Sequence, residues 1–154
     1  MSVQIVLGSK SDMKVAEKAI AVLKELDVKY KLTIASAHRT PELVDKLVAE
    51  ADAEVFIAIA GLSAALPGVI AARTTKPVIG VPVSGTLNLD AILSVVQMPP
   101  GIPVAGVGLD RGDNAALLAA AILGLKDAKV AEGLKRYRQK LKDNVIQDSR
   151  EVEA

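Results

Sequence analysis

The sequence predicts an α/β fold, a three-layer α/β/α sandwich on a parallel sheet, and three observations carry that reading. Short apolar runs alternate with longer segments of helical period along most of the chain. Several of the runs are apolar throughout, as strands covered by helices on both faces must be. No linker, low-complexity tract or internal repeat interrupts the alternation, so residues 1–124 read as a single domain.

The elements follow in order. "VQIVLG" (3–8) is the first strand, and "DMKVAEKAIAVLKELD" (12–27) then sets Val15, Ala16, Ala19, Ile20, Val22, Leu23 and Leu26 on one helical stripe, with Asp12 at the N-cap position. "YKLTIAS" (30–36) is the second strand. "PELVDKLVAEAD" (41–52) is a helix with Pro41 in its first turn, where a missing N–H is tolerated. "EVFIAIA", "PVIGVPV" and "PVAGVGL" continue as strands three to five, separated by helical stretches near 66–75, 88–97 and 113–124. Residues 125–154 are a different piece. Val130, Leu134, Tyr137, Leu141 and Val145 recur every three or four residues among many charges, the pattern of an amphipathic helix with a narrow apolar seam. Such a seam packs either on its own domain or on a neighbouring subunit.

Composition narrows the chemistry. The 154 residues are 51% hydrophobic, enough for a sizeable core, and carry a net charge of +1 from nineteen basic and eighteen acidic side chains. That balance gives no footprint for nucleic acid or an anionic membrane surface, and points to small ligands. No run reaches the roughly 18 uncharged apolar residues of a membrane span, and residues 1–12 do not read as a cleavable signal, so a cytoplasmic location is expected. The chain has no cysteine and one histidine. Thiol catalysis and cysteine metal sites are excluded, no metal centre is expected, and His38 is the one imidazole available for proton transfer.

Ligands of open parallel sheets bind beyond the carboxyl ends of the strands. Five loops fall on that rim: "GSKSD" (8–12), "ASAHRT" (35–40), "AGLSAALPG" (60–68), "SGTLNLD" (84–90) and "GLDRGDN" (108–114). "GSKSD" is what an ordinary strand-to-helix turn with an aspartate cap looks like. It is also an anion site, with small residues, free N–H groups at a helix start, and the Ser9 and Ser11 hydroxyls as donors. His38 and Arg39 pair a proton carrier with a guanidinium fork suited to phosphate. The small side chains of residues 60–68 let a flat ligand approach the backbone. "GVG" at 106–108 lacks the third glycine of a dinucleotide fingerprint and follows the last strand, so it carries no weight.

"GSKSD", "SAHRTP", "LPG", "KPVIGVPV", "LSVVQMPPGIPV" and "NAALLAA" resemble, in order and spacing over residues 3–124, the N5-carboxyaminoimidazole ribonucleotide mutase and aminoimidazole ribonucleotide (AIR) carboxylase family of purine biosynthesis. Six motifs in register are far more specific than any one of them. The resemblance implies a flavodoxin-like sheet, a homo-octamer with active sites near subunit contacts, and no cofactor. By motif match, Ser9 and Arg39 hold a 5′-phosphate with Ser11 and Ser36 close by, Asp12 receives ribose hydroxyls, and His38 moves protons. Gly61, Ser63, Ala65 and Leu66 fall in the substrate loop. The ligands implied are a ribonucleotide and CO2. Mutases of the family usually read "GGAAHLPG" where this chain reads "GLSAALPG", so Ala65 stands in place of a histidine. Carboxylases that use free CO2 usually carry Arg-Ser-Asn in that loop and Lys after the catalytic histidine. Ser63 is similar to the carboxylase pattern, whereas Arg39 and "QMPPG" (97–101) are similar to the mutase pattern, which is the reading favoured.

Three rival classes share the fold. A phosphorylation receiver needs an aspartate ending strand three, where Ala60 and Gly61 stand. A flavin carrier needs rings to stack on, yet Tyr30, Phe56 and Tyr137 are the only aromatics and none falls on the rim. A non-catalytic module binding a phosphorylated nucleotide would use the same Ser9, Asp12 and Arg39, and stays open.

Overall fold

The computed structural model describes residues 2–152. Its elements are β1 (Ser2–Leu7), a 3-10 turn (Lys10–Asp12), α1 (Met13–Glu25), β2 (Lys29–Ile34), α2 (Pro41–Glu50), β3 (Val55–Gly61), α3 (Leu66–Ala71), β4 (Val78–Val83), α4 (Asn88–Val96), β5 (Ala105–Gly106), α5 (Gly112–Gly124) and α6 (Ala128–Val152). The strands pair in parallel in the order β2-β1-β3-β4-β5. That is the flavodoxin-like order expected from the sequence.

Successive side chains of a strand point to opposite faces, so the core divides in two. Val3, Ile5 and Leu7, with Ile57 and Ile59 of β3, pack under α1 and α5. Val6, Phe56 and Ala58 pack on the other face with Val44 and Val48 of α2, Ile70 of α3 and Val95 of α4. Gln4 is buried within this sheet and is satisfied there, its amide donating to the Ile5 carbonyl at 3.1 Å and to Thr33 Oγ1 at 3.2 Å. β2 departs from the expectation of strands apolar on both faces. It is an edge strand, and its residues are exposed or half-buried.

α1 ends in a Schellman turn. Asp27 takes the left-handed backbone (φ 55°), its N–H reaches the Lys24 carbonyl, and the Val28 N–H reaches back to Leu23. On the same face α5 packs directly on α1 with small side chains, Gly112, Ala115, Ala116, Ala119 and Ala120, all buried. The near half of α6 joins this layer. Val130 is buried, Leu134 and Tyr137 pack beside it, and Lys129 and Lys140 pair with Asp27 (2.5 Å) and Glu25 (2.9 Å). Beyond Lys140 every described residue is exposed, including Leu141, Val145 and Ile146.

β5 is much shorter than the seven-residue strand "PVAGVGL" expected from its sequence. Hydrogen bonding to β4 continues past it, from the Val107 N–H to the Gly80 carbonyl and from the Asp110 N–H to the Pro82 carbonyl. Three residues span a step that a regular strand makes in two, and the extra one is absorbed by a left-handed Asp110 (φ 57°).

A Cβ on Gly112 would overlap the Val15 carbonyl oxygen of α1. Gly112→Ala is therefore expected to destabilise the fold by about 1–3 kcal/mol despite alanine's better helix propensity, checked by the midpoint of denaturant unfolding.

Candidate active site

Leu7 of β1 is level with Ile34 of β2 and Ile59 of β3, and Gly61 of β3 is level with Val83 of β4. The chain leaves β1 toward α1 on one face of the sheet and leaves β3 toward α3 on the other. The two loops therefore part, and a cleft of about 730 Å³ opens between them at the carboxyl ends of the strands. Ser9, Ser11, Asp12, Ser36, His38, Arg39, Gly61, Ser63, Ala65 and Leu66 all line it, so every site residue named from the sequence converges on one cleft.

The first wall is the turn after β1. Ser9 is its N-cap, with extended backbone, and forms a capping box with Asp12: the Ser9 N–H donates to Asp12 Oδ2 at 3.0 Å, while Ser9 Oγ accepts the Ser11 N–H at 3.4 Å. Ser11 Oγ donates to Asp12 Oδ1 at 3.2 Å. Two expectations change here. Asp12 occupies the N-cap position of α1 but makes no side-chain cap bond to that helix, because its carboxylate is turned back onto Ser9. The Ser9, Ser11 and Asp12 N–H groups serve the loop itself, so an anion here meets hydroxyls and a guanidinium rather than those amides.

The second wall is the turn carrying the lone imidazole. The Thr40 N–H donates to the Ser36 carbonyl at 3.0 Å, and Thr40 Oγ1 accepts the Ser36 N–H at 2.9 Å. Ser36 Oγ accepts both the Arg39 N–H (3.2 Å) and Arg39 Nε (3.3 Å). Ser36 thus fixes Arg39, and one guanidinium nitrogen reaches across to the Gly8 carbonyl at 2.9 Å, tying the two walls together. His38 is held at the exposed apex of this closed turn. Pro41 opens α2 immediately afterwards, which keeps the turn short.

The third wall is residues 60–63 with Ala65 and Leu66, and the fourth is Val83, Ser84 and Gly85 after β4. "SGTLNLD" falls on the rim as expected, and its Ser84 and Gly85 line the cleft, as do Gly8, Ala37, Ala60, Leu62 and Val83, none of which carries a motif that marks it as a site residue. "GLDRGDN" does not line the cleft. It acts one step removed, as Asp110 Oδ1 accepts the Ser84 N–H at 2.9 Å while Asn88 Oδ1 accepts that of Gly85, also at 2.9 Å. An acceptor 26 residues away leaves no local signal in the sequence.

Asp12 is the one buried acidic side chain among the described residues, 5% exposed. Burial pushes its carboxyl above the ordinary value of 3.8, against the opposing pull of the Ser11 hydroxyl, the Ser9 N–H and the Arg39 charge. The folded state thus holds this proton to higher pH than the unfolded chain. Its contribution to stability is complete below pH 3.8 and is lost as pH rises through the higher folded value. Asparagine can replace both contacts, its oxygen accepting the Ser9 N–H and its amide donating to Ser11 Oγ. Asp12→Asn is expected to leave stability at pH 7 undiminished and to flatten its fall with rising pH above 3.8, measured by urea unfolding across that range.

The cleft has relatives. A family model described as AIR carboxylase matches residues 2–144. A Methanocaldococcus jannaschii protein named N5-carboxyaminoimidazole ribonucleotide mutase is 59% identical over 149 residues, 96% of this chain and 95% of that protein. A Pyrococcus abyssi protein of the same name is 52% identical over 145 residues, covering 91% of this chain and 83% of the relative. The crystal structure of Treponema denticola PurE superposes with a TM-score of 0.89 at 35% identity, over 99% of this chain and 98% of that one. With the sheet order, the convergent cleft and a match over nearly the whole chain in agreement, this protein belongs to the AIR carboxylase family.

Proposed function

We infer that the protein is an N5-carboxyaminoimidazole ribonucleotide mutase of purine biosynthesis, moving a carboxylate from the exocyclic nitrogen to ring carbon 4. The observation that carries this reading is the convergence of the lone histidine, the Arg39 fork and the Ser9–Asp12 capping box on one cleft, in a chain 59% identical to a protein of that name. Ser9 and Arg39 hold the 5′-phosphate, with Ser11 beside them and Ser36 keeping the guanidinium in place. Asp12 accepts the ribose hydroxyls. Gly61, Ser63, Ala65 and Leu66 face the base. The anchored phosphate fixes where the ring lies and brings carbon 4 within reach of His38.

His38 then serves twice. As imidazolium it gives a proton to the exocyclic nitrogen while the carbon–nitrogen bond of the carbamate breaks and CO2 departs. Carbon 4 attacks the same CO2, a carbon–carbon bond forms, and the imidazole takes the proton that carbon 4 loses. No proton is gained or lost overall, and the histidine ends as it began. General acid–base help of this kind is worth roughly 10²- to 10⁴-fold. The chain supplies no second imidazole, and the proposal assigns both transfers to His38.

Assembly belongs to the same proposal. Residues 1–124 form the catalytic domain, and the distal part of the 125–154 segment packs on a neighbouring subunit in a homo-octamer. Leu89, Leu93 and Val96 of α4 and Leu141, Val145 and Ile146 of α6 are exposed apolar side chains that such packing would cover. No helix among the described residues is long and apolar enough to cross a membrane. A cytoplasmic location fits a free nucleotide substrate.

Three outcomes check this. His38→Asn is expected to lower turnover by roughly 10³-fold or more while nucleotide still binds, measured by steady-state kinetics beside calorimetry. Arg39→Lys keeps the charge and loses the fork, so nucleotide affinity should fall by about 1–3 kcal/mol, with little change for the nucleoside. Comparing substrates directly, the carboxylated nucleotide should turn over at low bicarbonate and the uncarboxylated one only at high bicarbonate. A higher kcat/KM for AIR plus CO2, with the carboxylated nucleotide inert, would make the protein a CO2-using carboxylase. Binding of both without turnover would make it a binding module.

A further inference from the structure

Five serines line the cleft, and their hydroxyls differ in what they already hold. Ser9 Oγ accepts the Ser11 N–H, Ser11 Oγ donates to Asp12, and Ser36 Oγ accepts from Arg39, so three of the five serve their own loops. The Ser63 and Ser84 hydroxyls make no hydrogen bond among the described residues. Ser63 belongs to the loop that faces the base. Ser84 has no part in the reaction scheme above, yet its backbone is held by a residue from a distant loop. Asp110 Oδ1 accepts the Ser84 N–H at 2.9 Å, and the Asp110 N–H donates to the Pro82 carbonyl at 2.9 Å. The Asp110 carbonyl in turn accepts Lys18 Nζ of α1 at 3.1 Å. Its left-handed backbone (φ 57°), which aspartate tolerates better than most residues, lets one side chain and one N–H grip the end of β4 together.

Position tells what the Ser84 hydroxyl meets. The phosphate holders Ser9 and Arg39 follow β1 and β2, whereas Ser84 follows β4, two places across the sheet from β1. At ordinary strand spacing that is about 10 Å, the scale of one nucleotide. Carbon 4 of the base is not bonded to the ribosyl nitrogen, so a carboxylate on it projects away from the sugar and is the part of the ligand remote from the phosphate. We propose that Ser84 Oγ donates a hydrogen bond to the carboxylate on ring carbon 4, and that Asp110 is the positioning residue that holds Ser84 for this contact. The inference rests on the ribonucleotide reading of the cleft. It does not depend on the choice between mutase and carboxylase, because both form the same 4-carboxylated nucleotide. Since Asp110 occupies the Ser84 N–H, the hydroxyl is the donor that this residue has left, and with the backbone fixed χ1 alone aims it. A donor to a carboxylate makes a charge-assisted bond, so the contact separates the carboxylated nucleotide from the uncarboxylated one.

The test is calorimetric titration of the full-length protein with 4-carboxyaminoimidazole ribonucleotide and, separately, with AIR. Ser84→Ala removes the hydroxyl and leaves every backbone bond in place. It should weaken binding of the carboxylated nucleotide roughly 10-fold while AIR affinity changes by less than about 2-fold. Asp110→Gly keeps the positive φ and loses the acceptor, and should show the same selective loss. Asp110→Asn keeps an acceptor and tolerates positive φ, and should bind both nucleotides as wild type does. In the double variant the two losses should not add, because Asp110 acts through Ser84. Wild-type affinity for the carboxylated nucleotide in Ser84→Ala overturns the contact, whether or not Asp110→Gly folds. Equal weakening toward both nucleotides in Asp110→Gly, or full additivity with Ser84→Ala, overturns the positioning role and leaves Asp110 a purely structural residue. Failure of the wild-type protein to bind either nucleotide overturns the ribonucleotide reading itself, so the two failures are told apart by the wild-type titrations.

Discussion

β1 takes a parallel partner on each edge, β2 on one side and β3 on the other, and is buried on both faces from Val3 to Leu7. Much of the site's geometry depends on that double pairing. It aligns the carboxyl ends of three strands, and because α1 and α3 lie on opposite faces, the loops that follow β1 and β3 must diverge. The cleft is the space left by that divergence. Its residues come from segments far apart in sequence, yet each is attached within a few residues to the end of a strand of the one sheet. Rigid elements positioned in this way hold side chains more tightly than a free loop of equal length would.

Within the cleft, the same polar atoms serve the loops and face the space between them. Asp12 closes the turn after β1 while lying under the Arg39 charge, and Ser36 closes the next turn while seating the Arg39 guanidinium. A buried carboxylate costs stability, which the Ser9 and Ser11 hydrogen bonds only partly offset, since its proton affinity still ends above the ordinary value. Its deprotonated form is thus held against its own desolvation.

The alternation of apolar runs and amphipathic stretches was legible because it is written in local periodicity, and the rim loops because strand ends define them. The ten site residues were legible for a different reason: six short motifs in register carried a family resemblance, which periodicity alone does not supply. What escaped was the part held by distant or conformational terms. "PVAGVGL" has a strand's composition, but the extra residue before Asp110 breaks its ladder with β4. Asp12 stands at a helix start and reads as a cap, yet its partner is Ser9. The seam of α6 reads as continuous through Val145, whereas only its near half finds a surface on its own domain.

Gly112 sits two residues after Asp110, which grips the Ser84 backbone at the cleft wall, and it presses directly against the α1 backbone at Val15. The segment from Ser84 through Asp110 to the head of α5 is therefore mechanically grounded on the opposite face of the sheet. α5 acts as a strut whose foot is wedged in a joint with no spare volume. Displacing the wall at Ser84 and Gly85 means either breaking the Asp110 bond or dragging a helix out of its seat. The fourth wall is in this sense the stationary side of the cleft.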